Sequence, residues 1–471
     1  MRGLAAVGAV LCLTAGPQWT GVAGAVGASA GSAGSAGSAG AAGPAGSAGP
    51  AGSAGSAGPA GSAFTDVLAG SAALADAPPG YAFAGDARRI DGADGAADAA
   101  WLKAGATYRS SLPRDGTLYY RLDLDAVSTT YVSVTAVPRS GGEVTAVDGI
   151  RVSLRDADGG ACDSGTANFG AARSPRPVTA WAKREVSPGA TRCQEAGAYY
   201  LVVERSRPQD SPPDAWDLEL TTAAEPGLTR TPTRNTPETW DSATPEPPAG
   251  TPVRRRGGDG FAGATPIGEG AWRDDIRPGQ TLFYKVPLDW GRQVYATADL
   301  DATAEGSGYA TAALQLALHN PVRGRVDSAG AGYSGRRATV GLDPVPPVAY
   351  DNRYAVAGRV SAMRFAGSYY LVAHLAEQVA DDFGDGPFTL TLRVRLLGTA
   401  GAGPGYAGEP VPRDLFTVTG TDRVATAPQG EGEDGTGNLA MKAVAVGGIG
   451  TGSLLLAGLG VWTVVARRRG A

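Results

Sequence analysis

Eight residues, GAYYLVVE at Gly197–Glu204, return almost unchanged as GSYYLVAH at Gly367–His374. Other blocks recur in the same order. TLYYRLDL at Thr117 matches TLFYKVPL at Thr281, and IRVSLRD at Ile150 matches LQLALHN at Leu314, each displaced by 164 positions. TYVSVTA corresponds to VYATADL, and WDLELTT at Trp216 matches FTLTLRV at Phe388, displaced by 172. A slowly growing offset is what small insertions between ordered elements produce. The chain therefore carries two copies of one unit.

Within each copy apolar and polar residues alternate with period two, and Gly, Pro, Asp and Ser clusters bound the runs. That pattern predicts half-buried strands and no long helix. A unit of this size built only from strands must cover one sheet with another, so the expected class is all-β, with two tandem sandwiches at 81–222 and 257–398. Neighbouring strand residues face opposite sides. Each of the pairs Tyr119–Tyr120, Tyr199–Tyr200, Phe283–Tyr284 and Tyr369–Tyr370 then sends one ring inward and one to the outer face or edge. The competing reading is a platform of exposed rings for sugars.

The order of these blocks carries a resemblance. AGATYRSSLPRDGTLYYRLDL, then VSLRDADGG, a Gly-Tyr-Tyr strand and an amphipathic last strand are matched in the second copy by GQTLFYKVPL, AGSYYLVAHL and GPFTLTLRV. The pattern resembles the bacterial pre-peptidase C-terminal domain, which implies a jelly-roll-like β-sandwich. Members of that family usually accompany secreted enzymes and surface proteins, and some bind calcium. No peptidase domain is recognisable beside the two copies in this chain. The Ala- and Gly-rich composition suits a high-GC, actinobacterial source.

The segments outside the repeat set the expected location. Met1, Arg2 and an apolar run with A-x-A sites read as a secretory signal over 1–30, which would remove Cys12. From Gly31 to Gly61 glycine falls at every third position. Pro44, Pro50 and Pro59 are too few for a collagen helix, so 31–80 reads as a flexible spacer and lead-in. Residues 223–256 are Pro/Thr-rich and read as a linker. The stretch 399–442 reads as a juxtamembrane linker. Residues 443–466 carry no charge, and at ~1.5 Å rise per residue they span an apolar core of ~30 Å. RRR follows in 467–471, which places that tail on the cytoplasmic side and the rest outside. The expected architecture is a single-pass plasma-membrane protein with an N-terminal ectodomain.

Chemistry is harder to find. Cys162 and Cys193 remain as an even pair in an exported chain and predict a disulfide. His319 and His374 have no neighbours at metal-ligand spacing, and surface placement is expected for both. RDADGGACD supplies Asp156, Asp158 and Asp163, and ADDFGDG supplies Asp381, Asp382 and Asp385. Such oxygen-rich loops can hold Ca²⁺, but Asp-Gly is also common hairpin chemistry. No other cofactor and no catalytic residue is indicated. A net charge of −5 argues against nucleic acid as a partner. The expectation is a non-catalytic extracellular binding or assembly module with an envelope protein or glycan as partner. The alternatives are an accessory subunit of a membrane-bound secretion or protease complex, and a glycan-active enzyme with an unrecognised carboxylate pair.

Overall fold

The computed structural model describes residues 80–426, apart from 140, 188, 207–208, 210–212 and 231–238. The expected signal, residues 31–79 of the spacer, the membrane segment 443–466 and the basic tail lie outside the described residues. Among those described, no helix is long and apolar enough to cross a membrane.

The first copy contributes ten strands: β1 (Arg88–Arg89), β2 (Ala100–Trp101), β3 (Thr107–Leu112), β4 (Thr117–Leu124), β5 (Thr129–Val137), β6 (Gly149–Arg155), β7 (Ala161–Asn168), β8 (Val178–Arg184), β9 (Gly197–Arg205) and β10 (Trp216–Glu225). The second contributes β11 (Val253–Arg254), β12 (Thr265–Pro266), β13 (Gly270–Ile276), β14 (Thr281–Leu288), β15 (Gln293–Leu300), β16 (Ala310–His319), β17 (Arg325–Tyr333), β18 (Ala338–Gly341), β19 (Gly367–Leu375) and β20 (Phe388–Leu397). Among the described residues three short α-helices join them: α1 (Gly358–Ser361) between β18 and β19, α2 (Val379–Phe383) between β19 and β20, and α3 (Gly420–Ala425) after β20.

The first copy's sheets run β1-β3-β10-β5-β8 and β2-β4-β9-β6-β7, and the second's run β11-β13-β20-β15-β18 and β12-β14-β19-β16-β17. The strand order is the same in both copies, so the sequence repeat is a repeat of topology. Each sandwich has its own core. One is built on Leu118, Tyr120, Leu122, Tyr199, Leu201 and Val203, the other on Leu282, Tyr284, Val286, Tyr369, Leu371 and Ala373. These are the alternate positions of β4 and β9, and of β14 and β19, as a period-two strand requires.

Even the core hydrogen bonds repeat. Tyr120 donates to Ser110 Oγ at 2.7 Å, and Tyr284 donates to Asp274 Oδ2 at 2.7 Å. Tyr199 donates to the Glu195 carbonyl at 2.7 Å, and Tyr369 to the Phe365 carbonyl at 2.8 Å. A buried phenol needs such a partner. Cys162 and Cys193 form a disulfide that joins β7 to the loop before β9, with Cα atoms 5.8 Å apart.

The segments read as linkers are partly structured. Ala223–Glu225 complete β10, and Val253–Arg254 form β11, so the edges of 223–256 belong to the sheets. Arg254 is a strand residue paired beside Arg273. Residues 399–426 fold back over the sandwiches: Ala224 and Val411 exchange backbone hydrogen bonds, and Phe416 is buried against Phe365. A Cβ on Gly367 would stand 2.3 Å from the Leu415 carbonyl, and its φ of +127° also favours glycine.

Candidate functional site

The outer faces of the two sandwiches meet, and charge opposes charge at the meeting. β10 places Glu219 and Glu225 on its outward side, where a solvated position would be expected from alternation alone. Glu219 instead accepts from Arg323, from the Tyr81 hydroxyl at 3.1 Å and from the Ala84 amide at 2.8 Å. Glu225 pairs with Arg353 at 2.6 Å, with the two side chains 1% and 4% exposed, and accepts from the hydroxyls of Tyr131 and Tyr406 at 2.7 and 2.8 Å. Glu185 pairs with Arg364 at 3.0 Å and with Lys183 at 2.7 Å. Burial pushes the Glu185 carboxyl up, but Arg364 and then Lys183 outweigh it and bring it down to about 2. In all three pairs the acid belongs to the first sandwich and the arginine to the second. Tyr131, Phe365 and Phe416 fill the space between them, with Tyr131 edge-on to Phe365 at 5.0 Å and Phe365 stacked on Phe416 at 4.8 Å.

Both histidines lie in this junction, which corrects the expectation of surface placement. His374 is 1% exposed and His319 7%. His374 Nδ1 lies 2.9 Å from Thr281 Oγ1, and its Nε2 lies 2.9 Å from Ser174 Oγ in the first sandwich. Burial, then Arg176, holds His374 well below the usual imidazole range. Burial, with Arg325 and Arg323 adding to it against a backbone hydrogen bond, lowers His319 to about 4. Alternation placed both histidines on an outward strand face. What it did not show was a second sandwich covering that face.

A cleft of about 290 Å³ lies between the β7–β8 connection and the outer face of β16, β17 and β19. Gln315, His319, Arg325, Ser328 and His374 line it from the second sandwich, and Arg176 from the first. A register shift between β16 and β17 at His319 sets Arg325 opposite His319.

The second feature is a row of side chains across the free outer sheet of the first sandwich. Trp101 pairs with Arg121, Arg121 with Tyr200, and Tyr200 with Arg155. Trp101 is 57% exposed, and the Arg121 guanidinium lies 4.5 Å from its ring centre. The equivalent row in the second sandwich is Pro266, Lys285, Tyr370 and His319. There Phe261 packs edge-on to Tyr370 and His319 and covers the row. Trp101, on an edge strand, stands out to solvent.

The acid candidates are scattered. Asp156 accepts from the Gly160 amide at 2.7 Å and closes the β6–β7 hairpin, Asp158 is exposed in that turn, and Asp163 accepts from the Lys183 amide at 3.1 Å. Asp381 and Asp382 sit on α2, with Asp385 just beyond it. Among the described residues no three His, Cys, Asp or Glu side chains converge as a metal site.

No protein-family model matches the chain, and no curated protein matches it. Among solved structures it is similar to that of Broad Bean Stain Virus, at 10% identity, covering 73% of this chain and 99% of that one, with a TM-score of 0.16. It is also similar to the CBM22-1-CBM22-2 tandem domain of Xyn10C from Paenibacillus barcinonensis, at 8% identity over 63% of this chain and 92% of that one, TM-score 0.17. A third similarity is to the CUB1-EGF-CUB2 domain of human MASP-1/3, at 9% identity over 61% and 99%, TM-score 0.16. At such TM-scores the likeness carries no functional argument.

Proposed function

We propose that the chain is a non-catalytic cell-surface protein, an extracellular binding module anchored in the plasma membrane through residues 443–466. Each sandwich is read as a jelly roll, because β3 to β10 distribute between two sheets in the order of a double Greek key. The observation that carries the binding role is the Trp101–Arg121–Tyr200–Arg155 row. It lies open on one sandwich, while its counterpart is covered on the other. Three ion pairs with little solvent exposure join the two sandwiches and support that arrangement. Aromatic faces beside guanidinium groups suit a sugar, whose apolar ring face stacks while its hydroxyls accept hydrogen bonds.

The test is retention of the detergent-solubilised full-length protein on immobilised envelope glycan, compared with Trp101→Ala. Trp101→Ala is expected to lower retention roughly tenfold, the loss of one well-placed aromatic contact. Equal retention of the two proteins overturns this face. A protease that cannot reach the ectodomain on intact cells overturns the surface location.

A further inference from the structure

The cleft between the sandwiches is charged in a way the rest of the junction is not. Arg323, Arg353 and Arg364 each cross the junction to a glutamate. Arg176 and Arg325 line the cleft, and neither has a carboxylate within ion-pair distance among the described residues. Arg176 is held by the carbonyls of Phe169 and Ser174, at 2.6 and 3.4 Å, and lies over the Phe169 ring. These contacts orient the guanidinium without neutralising it. No Asp or Glu lines the cleft.

The neutral groups add hydrogen-bonding capacity. Gln315 lines the cleft, and its Nε2 is buried with no hydrogen-bond partner among the described residues. A buried amide donor left unmade costs on the order of 1–3 kcal/mol, so an acceptor there is favoured. Ser328 offers a hydroxyl at the same wall. His374 has both ring nitrogens engaged, by Thr281 and Ser174, and fixes the floor rather than reaching for a ligand.

We propose that this cleft binds a compact oxyanion, with Arg176 and Arg325 supplying the charge and Gln315 a neutral donor. About 290 Å³ is at the small end of ligand sites. It suits a phosphate or sulfate ion, or the carboxylate end of a single acidic sugar, and excludes a polymer chain. Guanidinium groups match the planar or tetrahedral oxygens of such groups with paired N–H donors. The first copy shows no equivalent of this site among the described residues. At the positions of Gln315 and His374 it carries Arg151 and Glu204, which form their own ion pair on an open face. The inference is independent of the Trp101 face, because the cleft lies between the sandwiches.

The experiment is calorimetric titration of the full-length solubilised protein with sodium phosphate, sodium sulfate and sodium glucuronate at constant ionic strength, with sodium chloride as the control. Saturable binding at one site per chain is expected, weakened roughly tenfold or more in Arg325→Gln and Arg176→Gln. Binding by glucuronate alone assigns the site to an acidic sugar, and binding by the inorganic ions assigns it to the free anion. Arg325 is exposed and its variant keeps the fold, so the test does not depend on the more buried Arg176. Exposed Arg114→Gln should bind as the parent does. An equal heat from chloride, or unchanged binding by Arg325→Gln, overturns the proposal.

Discussion

His374 and Ser174 are 200 residues apart in the chain, yet His374 Nε2 lies 2.9 Å from Ser174 Oγ across the junction of the two sandwiches. The same Ser174 oxygen accepts the Glu377 amide at 3.0 Å. Ser174→Ala leaves a buried ring nitrogen and a backbone amide without that partner. Equilibrium denaturation of the variant is expected to show a loss of about 1–3 kcal/mol. A loss below ~0.5 kcal/mol would mean that the contact does not hold the junction.

Glu225→Ala should be among the most damaging single changes in the protein. It strands Arg353 and removes the acceptor of both Tyr131 and Tyr406. Removing one partner of a buried pair costs about 3–5 kcal/mol, whereas an exposed pair contributes roughly 0–1. Asp217→Ala, which breaks the half-exposed Arg109–Asp217 pair, is the matched control. Urea midpoints of the two variants should therefore differ widely.

Acid should weaken the fold in two steps. His319 titrates at about 4 in the folded chain against an ordinary 6.5, so the unfolded chain takes up its proton first as pH falls. The fold then keeps its full stability above about 6.5 and loses it between 6.5 and 4, by about 3 kcal/mol. Glu185 is depressed, so its contribution is present above 4.5 and is lost as pH falls toward about 2. His319→Gln should shrink the first step by that amount, leave the share of His374, which burial also holds below the usual imidazole range, and leave the second step unchanged. A stability profile flat from pH 7 to 4 would contradict the burial of His319 as a neutral ring.

Tyr199→Phe and Tyr369→Phe test the repeat itself. Each removes one buried hydroxyl that donates to a carbonyl four residues earlier. Because the two sites are equivalent, each change should cost a similar ~1 kcal/mol in thermal or chemical unfolding. A large cost at one site and none at the other would mean that the copies are not packed alike.

Removing the disulfide acts on one copy only. Cys162 and Cys193 are 31 positions apart and both pack against the first core. Cys162→Ser with Cys193→Ser should lower stability by about 3 kcal/mol, assayed by denaturation with and without reductant. Reductant should have no effect on the double variant.

The strands, the two sandwiches and the disulfide were legible in the sequence. Alternation sends one ring of each aromatic pair to a core, because a strand's period is a property of the backbone and needs no knowledge of its neighbours; the structure shows that ring to be Tyr120, Tyr199, Tyr284 and Tyr369. The junction was not legible. Glu219 and Glu225 alternate as ordinary outward residues, and nothing local distinguishes them from Asp217, which is half exposed. His319 and His374 carry no spacing signal: His319 meets the Arg323 carbonyl in the following turn, and the partners of His374, Thr281 and Ser174, lie on a neighbouring strand and on the other sandwich.

Trp101 likewise owes its exposure to tertiary context. It sits on a two-residue edge strand, and its row is open because no element comparable to Phe261 covers the first copy. The Gly324 position shows the same dependence on the fold: a Cβ there would meet the Trp181 ring of the other sandwich at 2.6 Å.

By itself, then, the sequence determined two copies of one all-β unit, that one ring of each aromatic pair faces inward, and which cysteines pair. These follow from short-range periodicity and from the parity of the two cysteines of the first copy. Tertiary structure alone decided which outward face each copy loses. Strand alternation specifies only inside from outside. Whether an outward Glu, His or Trp meets water, an arginine or an empty cleft depends on the second sandwich, whose contacts come from positions more than a hundred residues away.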